Sequence, residues 1–303
     1  MKKLQKHGPK NYSNLNEIEK NPKVLVLVLC SRNYLSFISS KVQKKIWKKH
    51  YKDFQVIHFI GQKYHDQRES DYVGDNDNEY LVVDTKDDYY NIAKKTFLAL
   101  DYINSNYEYD FVFRTNTSSH INFKILKEYV KKNFQSLDYS GSILKAKEGD
   151  TIASGAGIFL SKTNVELILE NSGYFDESLP DDVAISRVLN KFNIAPKDLS
   201  RIDLKLVPSP KKVINNTYFH YRCRLDPNYH RILEPLLMRY LAKATNKIGI
   251  TTYFQYFVLK FTFAISNIQL IKKIIQKYYS YKFYGEIFLG SNLIYSNKKI
   301  QSN

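Results

Sequence analysis

The stretch Tyr109 to Asn122, YDFVFRTNTSSHIN, decides the fold prediction. It opens with an apolar run, Phe111 to Phe113, and continues into a polar run, Arg114 to Ser119. A buried strand that delivers a polar loop at its carboxyl end is the usual place for a ligand in an open α/β sheet. The guanidinium, amide and hydroxyl groups of this loop suit a phosphate or a sugar. A surface turn after a core strand explains the same residues equally well, because Asn and Ser are common in turns.

Upstream of this stretch, the hydrophobic pattern predicts alternating strands and helices. Val24 to Leu29 is a continuous apolar run, typical of a strand buried on both faces. A basic helix over Ser36 to Tyr51 and a strand over Gln55 to Ile60 then complete a βαβ unit. A short strand at Tyr80 to Val83 and a helix from about Tyr89 to Asn104 lead into the central stretch.

Downstream, the pattern continues to alternate. We predict a helix at Phe123 to Phe134, a strand at Ser140 to Ala146, and a glycine-containing turn that runs into a strand at Ala153 to Ser161. Glycine residues in such a turn let another backbone or a ligand approach closely. A helix follows at Thr163 to Glu170, and an edge strand is predicted at Lys205 to Pro208.

Three polar groups have both a structural and a functional interpretation. The pair Asp181 and Asp182 at a helix start fits capping, but a carboxylate at a pocket edge also fits a general base. His220 stands among arginines, which should lower its pKa and suit neutral imidazole chemistry or anion binding. The acidic segment Gly61 to Glu79 fits a solvated turn better than a calcium site, because it lacks the spacing of an EF-hand loop.

Composition narrows the class of partner. The chain has 303 residues, a net charge of +16 and a sequence pI of about 9.4, which favour nucleotides, nucleic acid or an acidic membrane surface. Two cysteines form no disulfide framework, so a reducing compartment is the simpler expectation. Residues 1–22 are a flexible lead-in without the apolar region of a signal peptide, which predicts a cytoplasmic protein.

The C-terminal part, residues 226–303, is predicted to be a basic and aromatic helical extension. Ile248 to Ile271 is mostly apolar, but Lys260 near its middle disfavours a membrane span. The basic amphipathic pattern of Ile268 to Tyr284 suits the surface of an anionic membrane. Packing of these helices on the preceding domain, with their lysines in water, is the alternative.

Six segments, in the right order over Lys23 to Arg224, resemble the β-1,3-galactosyltransferase and fringe-like glycosyltransferases. Lys45-Ile46-Trp47 is similar to the family's Arg-x-Thr-Trp, and the segment 87–96 is similar to its Asp-Ser-Tyr-x-Asn-Leu-Thr-x-Lys-Thr. The segment 109–122 falls where the family has a strand followed by an acidic metal loop, and the segment 154–157 matches its Ser-Gly-x-Gly turn. Asp181-Asp182-Val183 matches its Glu-Asp-Val, and Phe219-His220 is similar to its late histidine.

The resemblance implies a GT-A-like (Rossmann-like) α/β domain at residues 23–225, with a mixed, mostly parallel sheet flanked by helices. It also implies a hexosyltransferase that moves a sugar from a nucleotide-sugar donor, a UDP-sugar, to a hydroxyl of a glycan, protein or lipid-linked acceptor, with inversion. By carry-over, Asp182 or its neighbour Asp181 is the base, and His220 is a late metal or phosphate contact. The donor-side residues are Ser31, Arg32, Lys95, Arg114, Asn116, Ser118, Gly155, Gly157 and Arg222.

The chain departs from the family where the family carries its metal-binding carboxylates. Asn116, Thr117 and Ser118 stand there instead, and hard divalent cations prefer anionic oxygen ligands. We therefore expect weak or absent dependence on Mn²⁺ or Mg²⁺. In that case Arg114 and other basic groups neutralise the leaving diphosphate. Two alternatives stay open. Either the donor phosphates, His220 and water hold the metal, or the domain binds a sugar nucleotide and is catalytically silent.

A rival interpretation is a protein that binds nucleic acid or another anion. Its net charge and interleaved aromatic residues are compatible with that role. The aromatic residues, however, are spread over predicted core strands, and the sequence contains no nucleic-acid motif. We therefore favour the glycosyltransferase and expect no specific nucleic-acid partner.

Overall fold

A computed structural model describes residues 22–63, 79–145, 151–214, 217–225, 233–246 and 249–266. Residues 1–21, the middle of the predicted acidic loop and the predicted helix at Ile268 to Tyr284 lie outside the described residues. The strands, in chain order, are β1 Val24–Leu29, β2 Gln55–Gln62, β3 Leu81–Lys86, β4 Phe111–Asn116, β5 Ser119–Ile121, β6 Tyr139–Lys145, β7 Thr151–Ser161, β8 Lys197–Asp198, β9 Ile202–Leu204 and β10 His220–Cys223. The α-helices are α1 Tyr34–Trp47, α2 Ile92–Asn106, α3 Phe123–Asn133, α4 Lys162–Glu170, α5 Asp181–Lys191, α6 Pro210–Ile214, α7 Glu234–Ala244 and α8 Ile250–Ser266.

Seven strands form the main sheet, in the order β3-β2-β1-β4-β7-β6-β8. Strand β7 runs antiparallel to β4 and β6, and the other neighbours are parallel. The chain moves outward from β1 to β3 and then returns to place β4 on the other side of β1. Such a reversal of strand order opens a crevice at the carboxyl ends of the two strands, and here Leu29 of β1 pairs with Asn116 of β4.

Helices cover both faces of this sheet because the strand residues are apolar on both faces. On one face, Phe123 of α3 and Trp47 of α1 pack edge to face with their ring centroids 5.5 Å apart. On the other face, α2, α4 and α5 bury their apolar stripes, such as Leu100 of α2 and Val188 of α5. The predicted mixed, mostly parallel sheet flanked by helices is confirmed.

A second sheet of three strands, in the order β5-β10-β9, lies beside the main sheet. One face of it joins the core that α1 shares with α7, which includes Val42, Tyr221, Leu237 and Leu241. Within the described part of the predicted extension, α7 therefore packs on the small sheet and on α1, and α8 packs on α7 and α6. The domain boundary at residue 225 stays a prediction.

Three local predictions are wrong. The predicted turn before Ile158 is part of the continuous strand β7, where Gly155 and Gly157 leave room for neighbouring side chains. Residues 205–208 form no strand, and β9 lies earlier, where Ile202–Leu204 pairs with β10. The third is the start of α2, which begins at Ile92 because Asp88 accepts hydrogen bonds from Asn91 and holds the preceding turn.

Among the described helices, none has the length and hydropathy that crossing a membrane requires.

Candidate active site

The polar loop after β4 is held in one conformation by side-chain hydrogen bonds. Asn116 Oδ1 accepts from the Ser118 N–H at 3.1 Å and from Ser118 Oγ at 2.8 Å. Gln43 of α1 reaches across and donates from Nε2 to the carbonyl oxygens of Asn116, at 3.1 Å, and Ser119, at 2.7 Å. The loop is thus fixed against α1, which suits it to bind a ligand without a large loss of entropy.

The loop after β1 meets it at the carboxyl edge of the sheet. Asn33 caps α1 by accepting from the Ser36 N–H at 2.9 Å, and its Nδ2 donates to Ser31 Oγ at 2.5 Å. Ser36 Oγ accepts from the Ser31 N–H at 2.8 Å and lies 3.5 Å from Thr117 Oγ1 of the β4 loop. The predicted residues Ser31, Asn116 and Ser118 are therefore brought to the same edge.

Arg114 is committed to a buried ion pair. Its guanidinium contacts the Asp181 carboxylate, and both side chains are buried. Thr96 Oγ1 of α2 donates a further hydrogen bond to Asp181 at 2.8 Å. Burial raises the pKa of Asp181, and the Arg114 guanidinium opposes that rise. Asp181 is thus buried and paired on the inside of the molecule.

Lys95 is committed in the same way. Its Nζ donates to Asp87 Oδ1 at 2.7 Å, and both side chains are almost completely buried. Asp87 also accepts from the backbone N–H groups of Arg32, at 2.5 Å, and of Gly61, at 3.0 Å. The Arg32 side chain is turned to the same place, where its Nε donates to the Gly61 carbonyl at 3.0 Å. Asp87 therefore ties the ends of β1 and β2 together.

Asp182, unlike its neighbour, is only partly buried. Its Oδ2 accepts from the Gly155 N–H of β7 at 2.8 Å, and its Oδ1 accepts from the Val183 N–H at 3.0 Å. A Cβ atom on Gly155 would lie 3.1 Å from this Oδ2 and 3.2 Å from Arg114 Nη1. Glycine at this position gives the carboxylate a backbone donor and room beside the strand.

His220 occupies the space above the other glycine of β7. A Cβ atom on Gly157 would lie 2.5 Å from His220 Cε1. His220 Nε2 is 3.0 Å from Ser119 Oγ, and Ser119 Oγ is 2.8 Å from Thr115 Oγ1. Burial, with the charge of Arg201 as the next cause, lowers the pKa of His220 to about 3. The lowering of the pKa therefore comes first from burial and only then from the arginine charge that the sequence indicated, and the imidazole is neutral at ordinary pH.

Beside His220, the small sheet presents two arginines and one carboxylate. Arg222 of β10 pairs in register with Asp203 of β9 and with Ser119 of β5, so these three residues share a face. Arg201 Nε donates to Asp203 Oδ1 at 2.6 Å, and Arg222 Nη1 lies 3.6 Å from Asp203 Oδ2. The Arg222 Nε and Arg201 Nη1 nitrogens are buried without a hydrogen-bond partner. The group therefore has an excess positive charge.

Sequence reasoning placed Arg222 at the site but missed Arg201 and Asp203. Nothing in the local sequence marks these two, because the pairing of β9 with β10 brings them there. The structure gathers five predicted residues around the middle of β7 and the small sheet, namely Gly155, Gly157, Asp182, His220 and Arg222. Arg114 and Lys95 lie nearby, but their charges are balanced within the protein.

The residues of the β4 loop do not fit a hard divalent cation. Asn116 Oδ1 is used within the loop, and Arg222 lies in register with Ser119, just after the loop, and places positive charge there. In the part of the chain that the structure describes, no three His, Cys, Asp or Glu side chains come close enough to hold a metal ion. Cations of this kind repel a divalent ion, and they attract a diphosphate.

The galactosyltransferase family model matches residues 39–154. The predicted family resemblance is confirmed, and with it the prediction of a glycosyltransferase enzyme. The match covers less than half of the chain, including the β4 loop, Lys95 and Arg114. Asp181, Asp182, His220 and Arg222 lie beyond the matched segment.

Two solved structures are similar to this chain at a lower level. One is the galactosyltransferase LgtC in complex with donor and acceptor sugar analogues, with 8% identity, a TM-score of 0.39, and coverage of 77% of this chain and 99% of that one. The other is a putative glucose-1-phosphate thymidylyltransferase from Bacillus anthracis in complex with a sucrose, with 12% identity, a TM-score of 0.33, and coverage of 59% and 87%. No curated protein matches the chain.

Proposed function

We propose that this protein transfers a sugar from a nucleotide-sugar donor, a UDP-sugar, to a hydroxyl group of a glycan or glycoconjugate acceptor. The observation that carries the proposal is the difference between two adjacent carboxylates at the start of α5. Asp181 is buried against Arg114, whereas Asp182 is held at the edge of the sheet by the Gly155 N–H. A carboxylate that is oriented by backbone donors and open on one side is suited to act as a general base.

In the proposed reaction, Asp182 takes the proton of the acceptor hydroxyl. The acceptor oxygen forms a bond to the anomeric carbon of the sugar, and the bond from that carbon to the diphosphate oxygen breaks. The electron pair of the broken bond leaves on the nucleoside diphosphate. Because attack and departure occur on opposite faces of the anomeric carbon, the product has inverted configuration.

The leaving diphosphate needs positive charge, and the described residues favour Arg222 and Arg201 as its source. Among the described residues, one carboxylate, that of Asp203, contacts both arginines, and each guanidinium keeps a buried N–H without a partner there. Arginine presents a rigid fork of donors that matches phosphate oxygens. In this proposal the arginines and His220 take the place of the family's acidic metal loop, and Mn²⁺ or Mg²⁺ is not required.

Thermal stability in the presence of nucleotides tests the donor site. We expect UDP and UDP-sugars to raise the melting temperature more than GDP or CDP, and the rise to survive EDTA. Arg222→Ala should reduce the affinity for UDP by about tenfold or more, since it removes a charge-assisted contact. The matched control is Lys131→Ala on α3, because it removes an equal charge from an exposed helix face.

Release of UDP from a UDP-sugar, in the presence of candidate acceptors or of water alone, tests the chemistry. Asp182→Asn keeps the shape of the side chain and should lower turnover by about 100-fold or more while UDP still binds. Full turnover in that variant contradicts the role of Asp182. Equal stabilisation by all nucleotides and by oligonucleotides, lost equally in Arg222→Ala and Lys131→Ala, favours a general anion-binding protein instead.

A further inference from the structure

Helix α8 leaves one side of its surface to the solvent, and that side is apolar. Ile250, Phe254, Phe257 and Phe261 recur every three or four residues and so lie in one stripe along the helix. Phe254, Phe257 and Phe261 are 68%, 63% and 68% exposed, and Ile250 is 90% exposed. Isolated exposed apolar residues are ordinary, but a contiguous stripe of this length marks an interaction surface.

The opposite side of α8 fixes the helix on the protein. Leu259 and Thr252 are buried, and Tyr256 and Phe263 pack on the core that includes Tyr240 of α7. The rings of Tyr240 and Tyr256 lie 6.2 Å apart. The apolar stripe is therefore presented outward from a helix that is attached to the folded domain.

A basic groove runs beside this helix, between α1 and α7. It is a cavity of about 870 Å³ whose lining includes Lys45, Lys49, Arg239 and Lys243, together with Thr251 and Gln255 of α8. The described residues that line it contain no carboxylate. A neighbouring groove of about 850 Å³ adds three more cations, which are Lys41, Lys44 and Lys48, against Glu79.

We propose that this face docks on an anionic membrane surface, with the aromatic stripe of α8 in the interface and the basic groove against lipid phosphates. The two features are the two contributions that interfacial helices use, namely buried apolar area and attraction of Lys and Arg to anionic lipids. The charge of the groove is the reason to prefer an anionic membrane over a second copy of the same basic chain, which would repel it. The proposal does not depend on the glycosyltransferase activity.

Cosedimentation of the full chain with lipid vesicles tests the proposal. We expect binding to vesicles of phosphatidylcholine with 30% phosphatidylglycerol, about tenfold or more above binding to phosphatidylcholine alone, and weakening in high salt. Replacing the three phenylalanines, Phe254→Ser, Phe257→Ser and Phe261→Ser, should reduce the binding about tenfold or more. The control is Tyr89→Ser with Tyr90→Ser, two exposed aromatic residues on the main domain that should leave binding unchanged.

A second variant tests the basic groove. It still tests the proposal if the phenylalanine variant fails to fold. Lys45→Gln, Lys49→Gln and Lys243→Gln together should lower binding to the anionic vesicles about tenfold or more. The control replaces three other lysines by glutamine, which are Lys124, Lys131 and Lys132 on α3, and so removes the same charge elsewhere. Binding that persists in the groove variant overturns the proposal, as does a phenylalanine-dependent dimer without vesicle binding.

Discussion

The main sheet and the small sheet differ in how the charges of their arginine and lysine side chains are balanced by carboxylates. At the main sheet, Arg114 of β4 and Lys95 of the covering helix α2 are buried, and each faces a buried carboxylate of its own. At the small sheet, Arg222 of β10 and Arg201, just before β9, share one carboxylate among the described residues, that of Asp203, which is partly exposed. Two cations with two buried carboxylates hold elements together, and two cations around one carboxylate retain charge for an anion.

This difference revises the division of roles suggested by the sequence. Arg114 and Lys95 were expected on the donor side because they align with the family's motifs. Their carboxylate partners give them a structural role, in which Arg114 fixes α5 to β4 and Lys95 fixes the ends of β1 and β2. Whether they also contact a donor stays a prediction. The available positive charge lies on β10 and just before β9, outside the segment that the family model matches.

The largest expected effect is a difference in the free energy of unfolding between a variant at the main sheet and a variant at the small sheet. Arg114→Met should destabilise the protein by about 3–5 kcal/mol, because it leaves the Asp181 carboxylate buried without its partner. Arg222→Met should cost about 1 kcal/mol or less, because its ion pair is partly exposed. Urea unfolding of both variants measures the contrast. Adding Asp181→Leu to Arg114→Met should recover most of the loss, and equal costs for the two single variants would break the comparison.

A smaller expected effect is the pH dependence of stability, which tests whether His220, beside the small sheet, is shielded from water. The pKa of His220 is about 3 in the folded state, below the ordinary value of 6.5, so the unfolded chain takes up this proton first. Stability should therefore fall as the pH drops from about 6.5 towards 3, by up to about 1.4 kcal/mol per pH unit for this residue. Unfolding in urea at pH 7, 6 and 5 measures the slope.

His220→Gln isolates the share of this residue in that slope. Buried His58 and His120 also have pKa values of about 3, so they contribute in the wild type and in the variant alike. The slope of His220→Gln should be shallower by one histidine's share. Identical slopes would show that His220 is protonated as readily in the folded state as in the unfolded chain.

The smallest effect compares the two glycines that join the regions. Gly157→Ala should cost about 1–3 kcal/mol, because the new methyl group would lie 2.5 Å from the His220 ring and β10 must shift. Gly155→Ala should cost less, since its nearest neighbour is Asp182 Oδ2 at 3.1 Å. Thermal unfolding ranks the two variants, and a larger cost for Gly155→Ala would place the tighter contact at Asp182.

Most strands of the main sheet were predictable along the chain, because each of them carries its own signal; β8 was not predicted. Val24 to Leu29 and Phe111 to Phe113 are apolar runs that end in polar loops, and such runs need no distant partner to be recognised. The continuity of β7 through Gly155 and Gly157 was not predictable. Its glycines are usual in turns, and only the proximity of His220 and Asp182 explains why a strand keeps them.

The amino-acid sequence by itself determined the α/β class, the place of the polar loop at the end of β4, the family resemblance and the pair Asp181–Asp182 as a candidate base. These features depend on local pattern and on the order of motifs along the chain. Only the tertiary structure decided which carboxylate is buried and which is open, and which arginines keep excess charge. Those properties depend on burial and on partners far apart in sequence, such as Arg114 with Asp181, and a local pattern contains no information about either.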